Sequence, residues 1–330
     1  TREFCNRHRK RNIMANIFLR SPFFLTITTG SHLSAKLELT LDSTLRYTII
    51  KNATSNRTVF EISSLARDYY EPDYNTLDTV AISATWYAYD AVDGGGSQLA
   101  TATVTHTGFE GYSDFWEGVA GNDIDPNDYE LTNTGDSSII YLPDSTASFA
   151  YDMNSGTATK ATISTSASSV AATSGNYTWT IERICSAKYT PVKMRFINKN
   201  GVPQDQYFFL KSSKTISAKS ESFKRNIFNY SSSNYDAKDH QKQTFNKNGS
   251  YRYTLNTDYI SEAYVAVMQD ILLSEYVWIY TSGGTSLTEG DYRPVNVVSN
   301  SLIWKSSLNE KLIQYTLEVE DANDYINNIV

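Results

Sequence analysis

The chain reads as a mainly β protein of the α+β kind: tandem β-sandwich-like modules followed by a C-terminal α+β domain built on an antiparallel sheet. Three observations carry that expectation. Apolar residues recur at every second position in several segments, the period of a strand with one buried and one wet face. Tyr 24, Phe 14 and an aromatic share of 13% suit a pleated, half-buried surface. Only two segments show the spacing of a helix.

The elements follow in order. Ala35, Leu37, Leu39 and Leu41 alternate with Lys36, Glu38 and Thr40, which predicts a strand. Ile62, Leu65, Ala66 and Tyr69 fall at i, i+3, i+4 and i+7, with Pro72 as a stop. Val80, Ile82, Ala84, Trp86 and Ala88 form a second alternating set, and Gly94-Gly95-Gly96 marks a loop or hairpin tip. Gly121 to Asn127 is an acidic turn. Residues 144–175 are rich in Ser, Thr, Ala and Gly and read as short exposed strands and loops with little core. Val192, Met194 and Phe196 alternate with Lys193 and Arg195, which predicts the two cations on the wet face. Tyr264, Val267, Met268, Ile271 and Leu272 predict a second helix, with Thr257, Asp258 or Ser261 as its cap. A strand over Tyr276 to Tyr280 comes next, expected to pack under that helix. Ile313, Tyr315, Leu317 and Val319 predict a last strand.

A length of 330 residues suits about two domains. Composition places a β-sandwich-like domain at 14–126, a Ser/Thr-rich β insertion or small module at 127–185, and the α+β domain at 186–330. Residues 1–13 carry a basic run, Arg7, His8, Arg9, Lys10 and Arg11, ahead of Met14. They read as a segment translated from upstream of the true start, or as a basic disordered arm.

Charge and motifs exclude several classes. Lys+Arg 29 against Asp+Glu 36 gives a net charge of -7, which opposes duplex DNA as the main partner, since phosphate binding needs a cationic face. No apolar run approaches the ~18 residues of a membrane-spanning helix. Cys5 and Cys185 form no CxxC pair and read as structural thiols. His8, His32, His106 and His240 have no zinc spacing. Asp123-Ile124-Asp125-Pro126-Asn127-Asp128 has oxygen ligands at alternate positions but lacks the Gly and Glu of a calcium loop. No phosphate-binding glycine loop and no nucleophile elbow is present. No metal and no cofactor is expected.

Two surfaces remain as candidates. Lys211, Lys214, Lys219, Lys224 and Arg225 open a basic stretch, 211–247, interleaved with Phe223, Phe228, Tyr230, Tyr235 and Phe245. Basic residues with aromatics are also the pattern of single-strand nucleic-acid binding, and an ordinary solvated face has the same composition. The acidic balance of the chain favours an arm that docks on an acidic neighbouring subunit. The run GFEGYSDFWEG places Glu110, Asp114 and Glu117 among Phe109, Tyr112, Phe115 and Trp116. Such a run fits a sugar cleft or a bend with a solvated edge.

The start MANIFLRSPFFLTI at Met14, FEISSLARDYY at Phe60 and VKMRFINKNGVPQDQYFFLK at Val192 resemble proteins of tailed-bacteriophage structural gene clusters. So do SEYVWIY at Ser274, PVNVVSNSLIWK at Pro294 and KLIQYTLEVEDANDYINNI at Lys311. The resemblance spans most of residues 14–330. It implies a non-enzymatic virion protein of the tail or baseplate, in which tandem β-sandwich modules assemble into rings. The implied partners are further copies of the chain, other virion proteins and a host-surface glycan. The family offers no active-site motif to carry over. The alternative is a receptor- or glycan-binding module with Trp86, Trp116 and Tyr112 as the stacking surface. A third class is a carbohydrate-active enzyme using the carboxylates from Glu110 to Glu117.

Overall fold

A computed structural model describes residues 15–124, 129–175, 177–185, 188–280, 292–303 and 312–326. Strands hold 52% of the chain and helices 9%, so the protein is mainly β with a small helical part. It divides into two compact units, 1–183 with 197–204, and 184–196 with 205–330. No helix among the described residues is long and apolar enough to cross a membrane. The basic run at 7–11, Cys5 and residues 125–128 of the acidic turn lie outside the described residues.

The first unit is organised by a six-stranded sheet in the order Thr44–Asn52, Ser34–Leu41, Val80–Tyr89, Gln98–Phe109, Ala15–Phe18, Asp123–Ile124. Leu37, Leu39 and Leu41 stand opposite Trp86, Ala84 and Ile82. The inward set is buried throughout except for half-buried Trp86. On the wet face Lys36 Nζ lies 2.8 Å from Glu38 and the Tyr87 hydroxyl donates to the same carboxylate. Asp42 and Ser43 turn the first hairpin with φ of 46° and 68°, the left-handed pair that a two-residue hairpin turn needs. Ala15–Phe18 runs parallel to Gln98–Phe109. The distance in sequence between these strands makes that pairing a product of the tertiary fold.

The first predicted helix is shorter than its periodicity suggests, Ser63–Arg67, with Tyr69 beyond its end. Glu61 stands in for a cap, its Oε1 accepting from the Ser63 and Ser64 backbone N–H groups at 2.9 and 3.2 Å.

The Ser/Thr-rich stretch corrects an expectation. Residues 144–175 contain Ser148–Asn154, Thr157–Ile163 and Ser169–Ala171, within two three-stranded sheets. Ala150, Tyr151, Met153, Ala161, Ile163 and Ala172 are buried. Tyr151 and Met153 join Phe18, Phe109, Ile124, Leu131 and Val202 in one cluster. Small side chains let this stretch approach closely, so a few large residues suffice for a core. The cluster is completed by the turn 197–204. Asn198 Nδ2 and Asn200 Nδ2 each donate to the Leu131 carbonyl at 2.9 Å, and Gln204 exchanges two bonds with the Asn133 backbone. Gly201, at φ +77°, has Glu110 N and Gly111 N only 2.7 Å from where a Cβ would stand.

The second unit holds a seven-stranded sheet in the order Pro203–Phe208, Val192–Ile197, Val277–Tyr280, Tyr292–Val297, Thr316–Asp321, Lys242–Asn256, Ser213–Lys224. From Val192–Ile197 outward the pairings are antiparallel. Lys193 and Arg195 are not on a wet face. Arg195 Nε and Lys193 Nζ lie 2.6 and 2.9 Å from the buried Asp205 carboxylate, with their side chains 7% and 15% exposed. Asp205 supplies the counter-charge that makes burial of cations tolerable, and no alternation pattern reports a partner ten or twelve positions away. Burial opposes the Lys193 charge, but Asp205, Tyr207 and Tyr292 outweigh it and raise the ammonium pKa.

The second helix, Val265–Leu273, buries Val267, Met268 and Ile271 and follows a 3-10 turn, Glu262–Tyr264. The expected side-chain cap is absent. Ser261 leads only into the 3-10 turn and makes no cap bond, and Asp258 accepts from Tyr259 N. Thr257 is buried and exchanges bonds with the Tyr315 backbone.

Candidate subunit interface

The basic stretch forms one long antiparallel hairpin. Ser213–Lys224 pairs with Lys242–Asn256 from Ser213 opposite Thr254 to Lys224 opposite Lys242, with an irregularity between Lys219 and Glu221. Twelve residues at ~3.3 Å each make a strand of about 40 Å. Thr316–Asp321 supports only the base, Arg252 to Asn256. Tyr325 N adds a bond to the Gly249 carbonyl and its ring packs edge-on against Tyr251. Beyond Asn248 the hairpin is a two-stranded ribbon, and a short pairing of Phe228–Asn229 with Asn234–Tyr235 closes its tip.

Every residue from 213 to 247 is exposed except half-buried Ile227. Ile216, Phe223, Phe228, Tyr230, Tyr235 and Phe245 are among the exposed large apolar side chains. Register sorts the distal ribbon into two faces. Glu221 opposite Phe245 and Phe223 opposite Gln243 share one face; Ser222 opposite Thr244 and Lys224 opposite Lys242 share the other. Phe223 and Phe245 meet edge-to-face at 5.6 Å. The ribbon therefore has an apolar side and a cationic side, and no layer of the described residues covers either.

The five candidate cations do not share one environment. Lys211 lies before the strand, where its carbonyl accepts from Asn256 Nδ2. Lys214 Nζ sits 3.5 Å from the Tyr251 ring centroid, a cation–π contact at the base. Lys219 stands opposite Asn248 at the last pair before the irregularity, and Lys224 at the far end. Arg225 binds back into the tip through the His240 carbonyl and, at 3.8 Å, Asp239. Lys219 and Lys224 are thus the two that line the ribbon itself. Phe223 and Phe245 were among the aromatics that the sequence interleaves with the cations, but their pairing was not legible there. Tyr251 and Tyr253 were not named, and the alternation of Lys242–Asn256 was the signal that could have found them.

The glycan candidates are dispersed. Trp86 is half-buried in the first sheet, opposite Leu37 and Ala102. Tyr112 is half-buried, with the Arg20 guanidinium 5.1 Å from its ring. Trp116 is 93% exposed beside Phe115, the rings edge-on at 5.8 Å. Of the carboxylates in that run, Glu110 is buried and held by Arg67 through Nε at 2.9 Å and Nη2 at 2.5 Å. Asp114 pairs with Lys199 at 2.9 Å, and Glu117 is exposed. A separate groove of about 450 Å³ in the first unit is lined by Thr40, Ser83, Thr105, His106 and Thr157, with no Asp, Glu, Lys or Arg in its wall. No cluster among the described residues could hold a metal ion. Cys185 is exposed.

No protein-family model, curated protein or solved structure matches this chain.

Proposed function

We propose that the chain is a structural component of a tailed-bacteriophage virion, of the tail or baseplate, that acts by homo-oligomeric assembly and without catalysis. The observation that carries assembly is the distal ribbon, with both faces exposed and no third strand paired to it among the described residues. A lone two-stranded ribbon is at best marginally stable in water, so one bearing an exposed edge-to-face phenylalanine pair gains stability when another surface covers it. The virion setting rests on the resemblance of the segments at Met14, Phe60 and Val192. Light scattering after size exclusion tests the assembly: the full chain elutes as an oligomer whose mass falls as salt screens the cationic contact. A monomer at every concentration and salt level would end the assembly reading.

A second reading, a receptor- or glycan-binding module, is favoured by the exposure of Phe115 and Trp116 and by the hydroxyl-lined groove. Aromatic faces and neutral hydroxyls suit a neutral polyhydroxylated ligand. A glycan array separates it from the first: a hit lost in Trp116→Ala supports it, and silence across a broad array counts against it.

A further inference from the structure

Resting on the assembly reading, we infer that the ribbon's occupant is a second copy of this chain, engaged head-to-tail. The ribbon of one copy lies over the acidic loop 68–78 and the open edge strand Thr44–Asn52 of the next.

Charge selects the occupant. Residues 211–247 hold eight Lys or Arg and three Asp or Glu, a net +5. Since the whole chain carries -7, the remainder carries -12. Two ribbons laid together would oppose like charges, whereas a ribbon on the body of another copy brings opposite charges together. The loop 68–78 supplies Asp68, Glu71, Asp73 and Asp78 with no basic residue among its eleven. Neighbouring Arg67 is engaged by Glu110.

The edge strand supplies the apolar half. Thr44–Asn52 is the outermost strand of the six-stranded sheet, and Leu45 and Ile50 on it are 55% and 48% exposed. It adjoins the acidic loop: the Tyr47 hydroxyl donates to Asp68 at 3.4 Å, and the Tyr47 and Tyr69 rings lie 6.0 Å apart. The cations of this strand are turned onto rings, Arg46 over Tyr69 and Lys51 over Phe60. The edge strand meets the acidic loop through Tyr47 on one face and exposes Leu45 and Ile50 on the other. The ribbon likewise carries Lys224 on one face and the Phe223–Phe245 pair on the other, so an edge-on contact can match charge and apolar faces together. Such a contact uses different surfaces on its two sides, so it closes into a ring or propagates as a filament.

A charge swap in the full chain tests both halves. Variant one is Lys219→Glu with Lys224→Glu; variant two is Asp68→Lys with Glu71→Lys. Circular dichroism first establishes that both fold. Each alone is expected to assemble at least about tenfold more weakly than the parent, the scale of lost charge pairs at an interface. Mixed one to one, they are expected to regain assembly, because each ribbon then meets a loop of opposite sign. If variant one assembles like the parent, the ribbon is not the contact and the assembly reading loses its carrying observation. If variant one is weakened but variant two is not, or if mixing restores nothing, the acceptor surface is wrong while the assembly reading stands.

Discussion

At the scale of single residues, the buried charges organise the protein. Glu110 is 2% exposed and forked by Arg67. Arg67→Ala would leave the carboxylate buried without its cation, at a cost of about 3 kcal/mol, read by urea titration; a loss near zero would mean that water screens the pair. Glu130 makes a pH-dependent case. Its carboxyl accepts from the Trp179 indole at 2.6 Å and from Thr134. Burial, the largest influence, raises its pKa, and the two donors lower it only in part. The folded state then holds the proton more tightly than the unfolded chain. Stability from this group is full below the unfolded carboxyl pKa and is lost as pH rises through the folded value. Glu130→Gln, which keeps an acceptor for Trp179, is expected to stabilise at pH 7 and to be neutral at pH 4, measured by denaturant midpoints. An equal effect at both pH values would refute this linkage.

At the scale of elements, alternation and helical spacing were legible, and partners were not. Leu37, Leu39 and Leu41 are core residues because a half-wet strand can only be written with period two. The same rule misplaced Lys193 and Arg195, since a buried cation depends on Asp205 in the adjoining strand. Helix caps failed for a similar reason: Thr257 was an available cap, but Tyr315 engages it from 58 positions away. The distal ribbon pairs with no further strand among the described residues. Replacing residues 220–247 by an Asn-Gly turn between Lys219 and Asn248 is expected to move the melting midpoint by no more than about 4 °C while abolishing assembly. A much larger drop would show that the ribbon stabilises its own sheet.

At the scale of the whole molecule, the proposed activity is association. In the proposed assembly, a chain of net charge -7 with a +5 segment over residues 211–247 offers the ribbon as donor and its acidic remainder as acceptor. Attraction between such surfaces weakens as salt rises, with a Debye length of about 10 Å at 0.1 M. The oligomer is therefore expected to dissociate partly between low and high salt, and the apolar pair Phe223 and Phe245 to supply the salt-insensitive remainder. Phe223→Ser with Phe245→Ser should leave an assembly that salt removes completely; one that still resists high salt would place the apolar contact elsewhere.

The amino-acid sequence by itself determined that this is a mainly β protein, where its principal strands lie, and that one stretch is basic and aromatic. Those properties are local, written in periodicity and composition. Tertiary structure decided the parallel pairing of Ala15–Phe18 with Gln98–Phe109, the burial of Asp205 with its two cations, and the core within 144–175. It also decided that Lys219 and Lys224 line an unsupported ribbon while Lys214 rests on Tyr251 and Arg225 folds into the tip. Each depends on which distant segment arrives as a neighbour, and local patterning carries no record of that neighbour.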